Sequence, residues 1–333
     1  LGLGVGVVGT AAYVNARFTA AQFGEQVMGA SSDGITEHVN AALATAESES
    51  MVAKKLLEEG PFDPNDHSSV TTYFLHAMLA NQNLSYLSCG LESGKYYHVH
   101  RDPHGALSIL WLLPQTDGSR YLLEWAVSST GDRTWPITVI PKSSRTPPYD
   151  RPYYEKAEMA GRPIWTETYV FLGKGEELDI TGVSRAIPLY DKKKRFIGVL
   201  TADFDVLALS TYLRSLSVGD NGFAFLLELR EKGSPKLIAH PSAVHPDASK
   251  RLVLTRPAKD GGGDEALDAK EVKDQSVAQM AALIPELPST VSAETHEVAF
   301  SSDGIPYVGV YRALGGGDSD RPNWLLCILI PEA

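Results

Sequence analysis

Three histidines, His98, His100 and His104, stand at H-x-H-x-x-x-H spacing. The first two alternate along an extended segment and so share one face of a strand, which is where a pair of metal ligands would start. A metal also needs further ligands and acids that orient the imidazoles. Beyond Asp102 the neighbourhood offers no acid and no cysteine, so these residues read as an exposed hairpin. Gly4-Val5-Gly6-Val7-Val8-Gly9 matches G-x-G-x-x-G. That pattern cradles a pyrophosphate only between a strand and a helix, and here only Leu1 to Leu3 precede it. Small residues in a membrane-spanning helix account for the glycines equally well. No G-x-S-x-G elbow and no H-E-x-x-H occurs. A hydrolase stays open only because triads are defined by geometry and not by sequence order. His240 and His245 flank prolines and read as loop residues. Cys89 and Cys327 lie far apart without a CxxC and read as two unpaired buried thiols, with a disulfide as the alternative. Lys192 to Arg195 reads as a solvated basic turn, with anionic lipid headgroups as a lesser alternative.

The elements that must position any site follow from composition and pattern. The chain has 333 residues, 43% hydrophobic and 21% charged, enough apolar surface to offset the ordering entropy of two domains or one large one. A formal net charge of -11 repels polyanions, which argues against nucleic acid as a partner. Leu1 to Val14 is an uncharged Gly- and Val-rich run. It is shorter than the roughly 20 apolar residues that span a bilayer, and it reads as the outer end of a truncated transmembrane helix. The closing apolar strand, Trp324 to Ile330, reads as the approach to a second membrane segment.

Between these ends, Arg17 to about Glu59 has helical spacing at Phe23, Val27, Ile35, Val39, Leu43, Met51, Leu56 and Leu57, and Gly60-Pro61 stops it. Asp66 to Leu87 reads as a second helix. Strands are expected at Ser85–Leu91, Tyr96–His100, Leu107–Leu113 and Tyr121–Val127, with turn residues between them. Pro147–Met159 reads as a short helix, followed by strands near Trp165–Leu172, Ile180–Tyr190 and Phe196–Phe204. Val206–Leu216 is a connecting helix. A smaller set follows: strands at Phe223–Leu229 and Lys236–Ala239, a Gly261–Asp264 loop, a helix at Ala269–Leu283, and strands at His296–Phe300, Tyr307–Ala313 and Trp324–Ile330.

Within this frame the ordered segments resemble the double Cache sensor domains of bacterial transmembrane receptors. Arg151-Pro152-Tyr153-Tyr154 with Ala157 resembles the family's RPWYxxA segment, and Gly161-Arg162-Pro163-Ile164-Trp165-Thr166 through Tyr169 its G-x-P-x-W-[ST]-x-x-Y stretch. Pro188-Leu189-Tyr190-Asp191 and Gly198-Val199-Leu200 through Asp203 are similar to two of its strand ends. Val218 to Leu227 followed by Ile238-Ala239-His240-Pro241 looks like the start of its membrane-proximal repeat. The resemblance implies an α+β fold: a long N-terminal helix followed by two stacked PAS-like (Cache) α/β modules with antiparallel sheets. On this reading residues 1–16 end a transmembrane helix and 17–59 form a spine. Residues 60–205 then form a membrane-distal, ligand-binding module and 206–331 a membrane-proximal one.

The resemblance also implies a site. Arg151, Tyr153, Tyr154, Trp165, Tyr169 and Asp203 would bind the ligand, the arginine holding a carboxylate and the aspartate an ammonium. A bidentate guanidinium suits a carboxylate, and aromatic walls exclude water from both charge contacts. Tyr153 stands where the family has tryptophan, Phe171 where an acid often follows, and Thr146 where an upstream tyrosine is usual, with Tyr149 nearby. An amino acid or a carboxylate is therefore the best candidate within a wider class of small polar metabolites. The residues admit plainer roles too. Arg151 would pair with Glu155 or cap a loop, Asp203 would cap the Val206–Leu216 helix, and Tyr153, Tyr154 and Trp165 would be core aromatics. The implied protein is not itself an enzyme and needs no cofactor. It would sit outside the cytoplasm, anchored at both ends in the inner membrane, with a cyclase, kinase or chemoreceptor output, and would pair as a homodimer through its N-terminal helix. The alternative from another class is a dimerisation or partner-binding module with no small-molecule ligand.

Overall fold

Ile35, Val39, Ala42, Leu43, Ala46, Ser50, Ala53 and Leu57 recur at steps that keep them on one side of a helix, and all are buried. They form the seam of α1 (Gly2–Glu58), which at about 1.5 Å per residue is long enough to serve two modules. The computed structural model describes residues 2–102, 104–128, 130–142, 151–171, 181–219, 221–230, 233–257, 264–284, 294–314 and 320–332, with only the backbone of 2–27 and 135–142. The glycine run at 261–263 and the Thr146–Tyr149 segment lie outside them. Among the described residues, no helix is long and apolar enough to cross a membrane.

Asp66 caps α2 (His67–Ala80), accepting from the Ser69 amide. The helix ends at Ala80, short of the expected Leu87, and the chain enters β1 (Tyr86–Leu91) after a turn. Antiparallel strands β2 (Tyr96–Arg101), β3 (Leu107–Pro114), β4 (Arg120–Val127) and β5 (Arg133–Lys142) follow, the last not expected from the sequence. Then come α3 (Pro152–Ala160), β6 (Ile164–Trp165), β7 (Tyr169–Val170), β8 (Thr181–Tyr190) and β9 (Phe196–Asp205). The sheet order is β5-β4-β3-β2-β1-β9-β8-β6, with β7 also on β8. α2 and the C-terminal half of α1 cover one face through Phe74, Met78, Leu87, Tyr97, Val99 and Leu200. α3 covers the other through Tyr153, Tyr154 and Ala157.

α4 (Val206–Ser215) leads to a second antiparallel sheet, made of β10 (Phe223–Glu228), β11 (Lys236–Ala239), β14 (His296–Ser302), β15 (Ile305–Ala313) and β16 (Trp324–Pro331). A small hairpin of β12 (Thr255–Pro257) and β13 (Asp264–Ala266) and the helix α5 (Gln275–Leu283) complete it. The expected Ala269–Leu283 helix begins only at Gln275, where Asp274 accepts from the Ser276 and Val277 amides. α5 packs on one face of this sheet, and α4 with Met28, Ile35, Val39 and Leu43 of α1 packs on the other. The chain is thus an N-terminal helix followed by two PAS-like modules with antiparallel sheets. Cys89 and Cys327 are both buried and free.

Candidate functional site

Strand register decides which side chains can meet, because directly opposed residues share a face. Ser184 on β8, Asp203 on β9, Tyr86 on β1 and His100 on β2 form one row across the sheet. Ala186, Thr201, Ser88 and His98 form the next, and Pro188, Val199, Gly90 and Tyr96 the third. This is the face that α3 covers, and its polar residues are set among aromatics.

Arg151 is the N-cap residue of α3, with Pro152 starting the helix. Its guanidinium lies over the Tyr169 ring at 5.6 Å and donates to the Val170 carbonyl at 3.1 Å. Among the described residues it pairs neither with Glu155 nor directly with Asp203. Tyr153, the second residue of α3, is buried, and its hydroxyl has no hydrogen-bond partner among the described residues. Tyr169 is opposite Gly182 and its hydroxyl meets the Ser184 hydroxyl at 2.8 Å. Tyr96 meets His98 Nδ1 at 2.9 Å. Phe171 closes against Tyr86 and Tyr169, with ring centroids at 5.2 and 5.1 Å. Gly182 makes room for it: a Cβ there would lie 2.5 Å from the Phe171 ring.

Asp203 is 6% exposed, and among the described residues its Oδ1 has no hydrogen-bond partner. Burial raises its carboxyl to about 7, a rise that the Ser184 and Thr201 hydroxyls and the Arg151 charge only partly offset. Burial likewise pushes the Tyr153 and Tyr169 hydroxyls well above their ordinary value, with the Asp203 charge adding to it. A buried carboxylate with an orphaned oxygen is destabilising unless something pairs with it. The capping role open to Asp203 belongs to Asp205, whose Oδ1 accepts from the Leu207 amide at 2.7 Å.

The structure therefore brings Arg151, Tyr153, Tyr169 and Asp203 together. Tyr154 is fully buried beside them but packs on Phe196 as part of the α3 core. Trp165 does not join them: it is opposite Arg185, on the other face, and donates from Nε1 to Glu47 of α1 at 3.2 Å. The exposed-hairpin reading of the histidines holds for His104 alone. His98 is 8% exposed and stands on the site's own face, with His100 Nδ1 3.1 Å from its Nε2. Among the described residues no group of three metal-ligating side chains forms. His240 lies in the connection after β11, as expected of a loop residue, yet it is 3% exposed and packs on Phe223 and Phe225. Tyr96, Ser184 and Thr201 were not singled out by the sequence. The alternation of β2, β8 and β9 was the signal that carried them.

The aromatic, charged face of this sheet is capped by a short helix, and comparison with known proteins places the fold. Residues 97–211 match the family model described as methyl-accepting chemotaxis protein-like, first PDC sensor domain. This stretch is therefore similar to a PDC, or Cache, sensor domain. The fold resembles that of methyl-accepting chemotaxis protein X, 15% identical over 90% of this chain and 95% of that one, with a TM-score of 0.55. It also resembles an extracellular domain assigned to a histidine kinase, mmHK1S-Z3, 15% identical over 89% of each chain, with a TM-score of 0.50. The amino acid chemoreceptor PctB of Pseudomonas aeruginosa PAO1, solved with L-Arg, overlays less closely, at 15% identity over 92% of this chain and 86% of that one, with a TM-score of 0.48. No curated protein matches the chain.

Proposed function

We propose that the chain is the extracytoplasmic sensing region of a membrane-anchored signalling receptor, and that its first module binds a small zwitterionic metabolite. An ammonium would pair with Asp203 inside the ring of Tyr86, Tyr96, Tyr153 and Tyr169. A carboxylate would take the N–H groups of Arg151 left over after its bond to Val170. The observation that carries this reading is the Oδ1 of a buried Asp203, which has no hydrogen-bond partner among the described residues. An ammonium supplies both the hydrogen bond and the charge that this oxygen lacks, and aromatic faces favour a cation beside them. The same proposal assigns residues 60–205 to the membrane-distal module and 206–331 to the membrane-proximal one. It also pairs two copies along α1, which leaves Met51 and Val52 exposed.

A thermal-shift screen of the purified chain against α-amino acids, their amines and their deaminated acids tests the ligand class. The expected result is stabilisation by at least one zwitterion, lost in Arg151→Ala and in Asp203→Ala and kept in Trp165→Phe. No stabilisation by any compound, or stabilisation unaffected by Asp203→Ala, would overturn it.

A further inference from the structure

The segment that carries Tyr169 is held from outside its own module. Glu228, on β10 of the second module, is 2% exposed. Its Oε1 accepts from the Thr168 amide at 2.8 Å, the Thr168 hydroxyl at 2.7 Å and Trp324 Nε1 at 3.3 Å. Its Oε2 accepts from Arg230 Nε at 3.0 Å, and Arg230 Nη2 donates to the Thr168 carbonyl at 2.9 Å. Every polar atom of Thr168 is thus bonded to Glu228 or Arg230. Thr166, two residues earlier, exchanges bonds with Ser184: its amide donates to the Ser184 carbonyl and its hydroxyl accepts from the Ser184 amide, both at 3.0 Å. Thr168 is followed at once by Tyr169, which touches Ser184, and by Val170, whose carbonyl holds Arg151.

A two-residue strand has little sheet pairing to fix it: among the described residues, β7 is joined to β8 only at Gly182 and Thr181. Buried charges demand partners of good geometry, and bonds to a charged acceptor are about twice as strong as neutral ones. The position of Tyr169 and Val170 therefore depends on Glu228. Nothing in the first module's own motifs announces that dependence.

We propose that Glu228, with Arg230, is a positioning residue for the first module's site, acting through Thr168 on Tyr169 and on the Val170 carbonyl that orients Arg151. The coupling runs both ways. A ligand that draws on Tyr169 or Arg151 loads Thr168, and through Glu228 it loads β10 and Trp324 of β16. The functional meaning of the link rests on the ligand reading given above, but its physical test does not.

Amide hydrogen exchange of the whole chain tests it. Thr168→Val keeps the side-chain shape and removes one donor, and Thr168→Ser restores that donor. Peptides covering 166–171 and 181–186 should exchange at least about tenfold faster in Thr168→Val. They should do so again in Glu228→Gln, and Thr168→Ser should stay close to the parent. Strands β1 and β2 should be unchanged in all three. Exchange at 166–171 unchanged in both Thr168→Val and Glu228→Gln, or faster only within the second module, would overturn the proposal. So would an equal effect of Thr168→Ser and Thr168→Val. A mixture of the standard L-amino acids serves as the ligand probe. A melting shift in the parent chain should need a higher concentration in Thr168→Val, and an identical concentration dependence would also count against the link. No shift in the parent would sink the ligand reading and leave the exchange result to decide the role of Glu228.

Discussion

Replacing Asp203 by asparagine should stabilise the unliganded chain at mildly alkaline pH while removing its ability to hold a cation. Burial raises the Asp203 carboxyl from an ordinary 3.8 to about 7. Each pH unit of such a rise corresponds to about 1.4 kcal/mol, so carrying this charge unpaired costs about 4 kcal/mol above neutrality. The folded carboxyl keeps a proton that the unfolded chain has already lost between about pH 4 and pH 7. Stability contributed at this position is therefore present at low pH and falls as pH rises through that window. An asparagine side chain does not titrate, so the variant lacks this dependence. Asp205, raised to about 7 by the same cause, is present in both chains and drops out of the difference. Urea unfolding followed by tryptophan fluorescence should show Asp203→Asn more stable than the parent by about 4 kcal/mol near pH 8, with the gap narrowing to about 1–2 kcal/mol near pH 5 and closing only below about pH 4. An equal difference at both pH values would refute the reasoning, because it would mean that Asp203 bears no charge cost in the folded chain. A parent more stable than the variant near pH 8 would refute it more strongly.

The remaining predictions follow from the same geometry. Ligand affinity, read by calorimetric titration, should rise between about pH 6 and pH 8 as Asp203 ionises, and should lose this dependence in Asp203→Asn. Tyr153→Phe removes a buried hydroxyl that has no partner among the described residues; it should leave the unliganded melting temperature unchanged or slightly higher while weakening ligand binding about tenfold. Gly182→Ala would set a Cβ 2.5 Å from both the Phe171 ring and the Phe204 carbonyl. It should destabilise the chain by about 1–3 kcal/mol in the same urea assay and displace Phe171 from Tyr86.

Much of this was legible in the sequence, and the parts that were not have physical reasons. The long first helix announced itself by spacing alone, since Ile35, Val39 and Leu43 repeat at steps that only a helix puts on one side. Arg151, Tyr153, Tyr169 and Asp203 were legible through the ordered motifs around them. Trp165 sits in the same motifs yet belongs to the opposite face, because β6 is two residues long and its neighbour Ile164, not Trp165, takes the α3 side. A strand that short has no alternation to read. His98 read as part of an exposed hairpin because the histidine cluster lacks the further ligands and acids of a metal site. It stands on the face covered by α3, a helix some fifty residues away that no local pattern could bring to mind. Asp203 and Asp205 differ by two residues and share a face, so sequence alone could not assign the capping role to the second. Glu228 was the missed signal: one acid in the otherwise apolar run Phe223–Leu229 is costly unless something pairs with it. Its partners, Thr168 and Arg230, became identifiable only once the two modules were seen together.

The central claim is that Asp203 and Arg151 together hold the two ends of a zwitterion, and calorimetric titration with matched compounds tests it most directly. An α-amino acid that stabilises the chain should bind at least about tenfold more tightly than either its decarboxylated amine or its deaminated acid. Asp203→Asn should remove its advantage over the deaminated acid, and Arg151→Ala its advantage over the amine. Equal affinity for all three compounds, or the same preference in both variants as in the parent, would contradict the account.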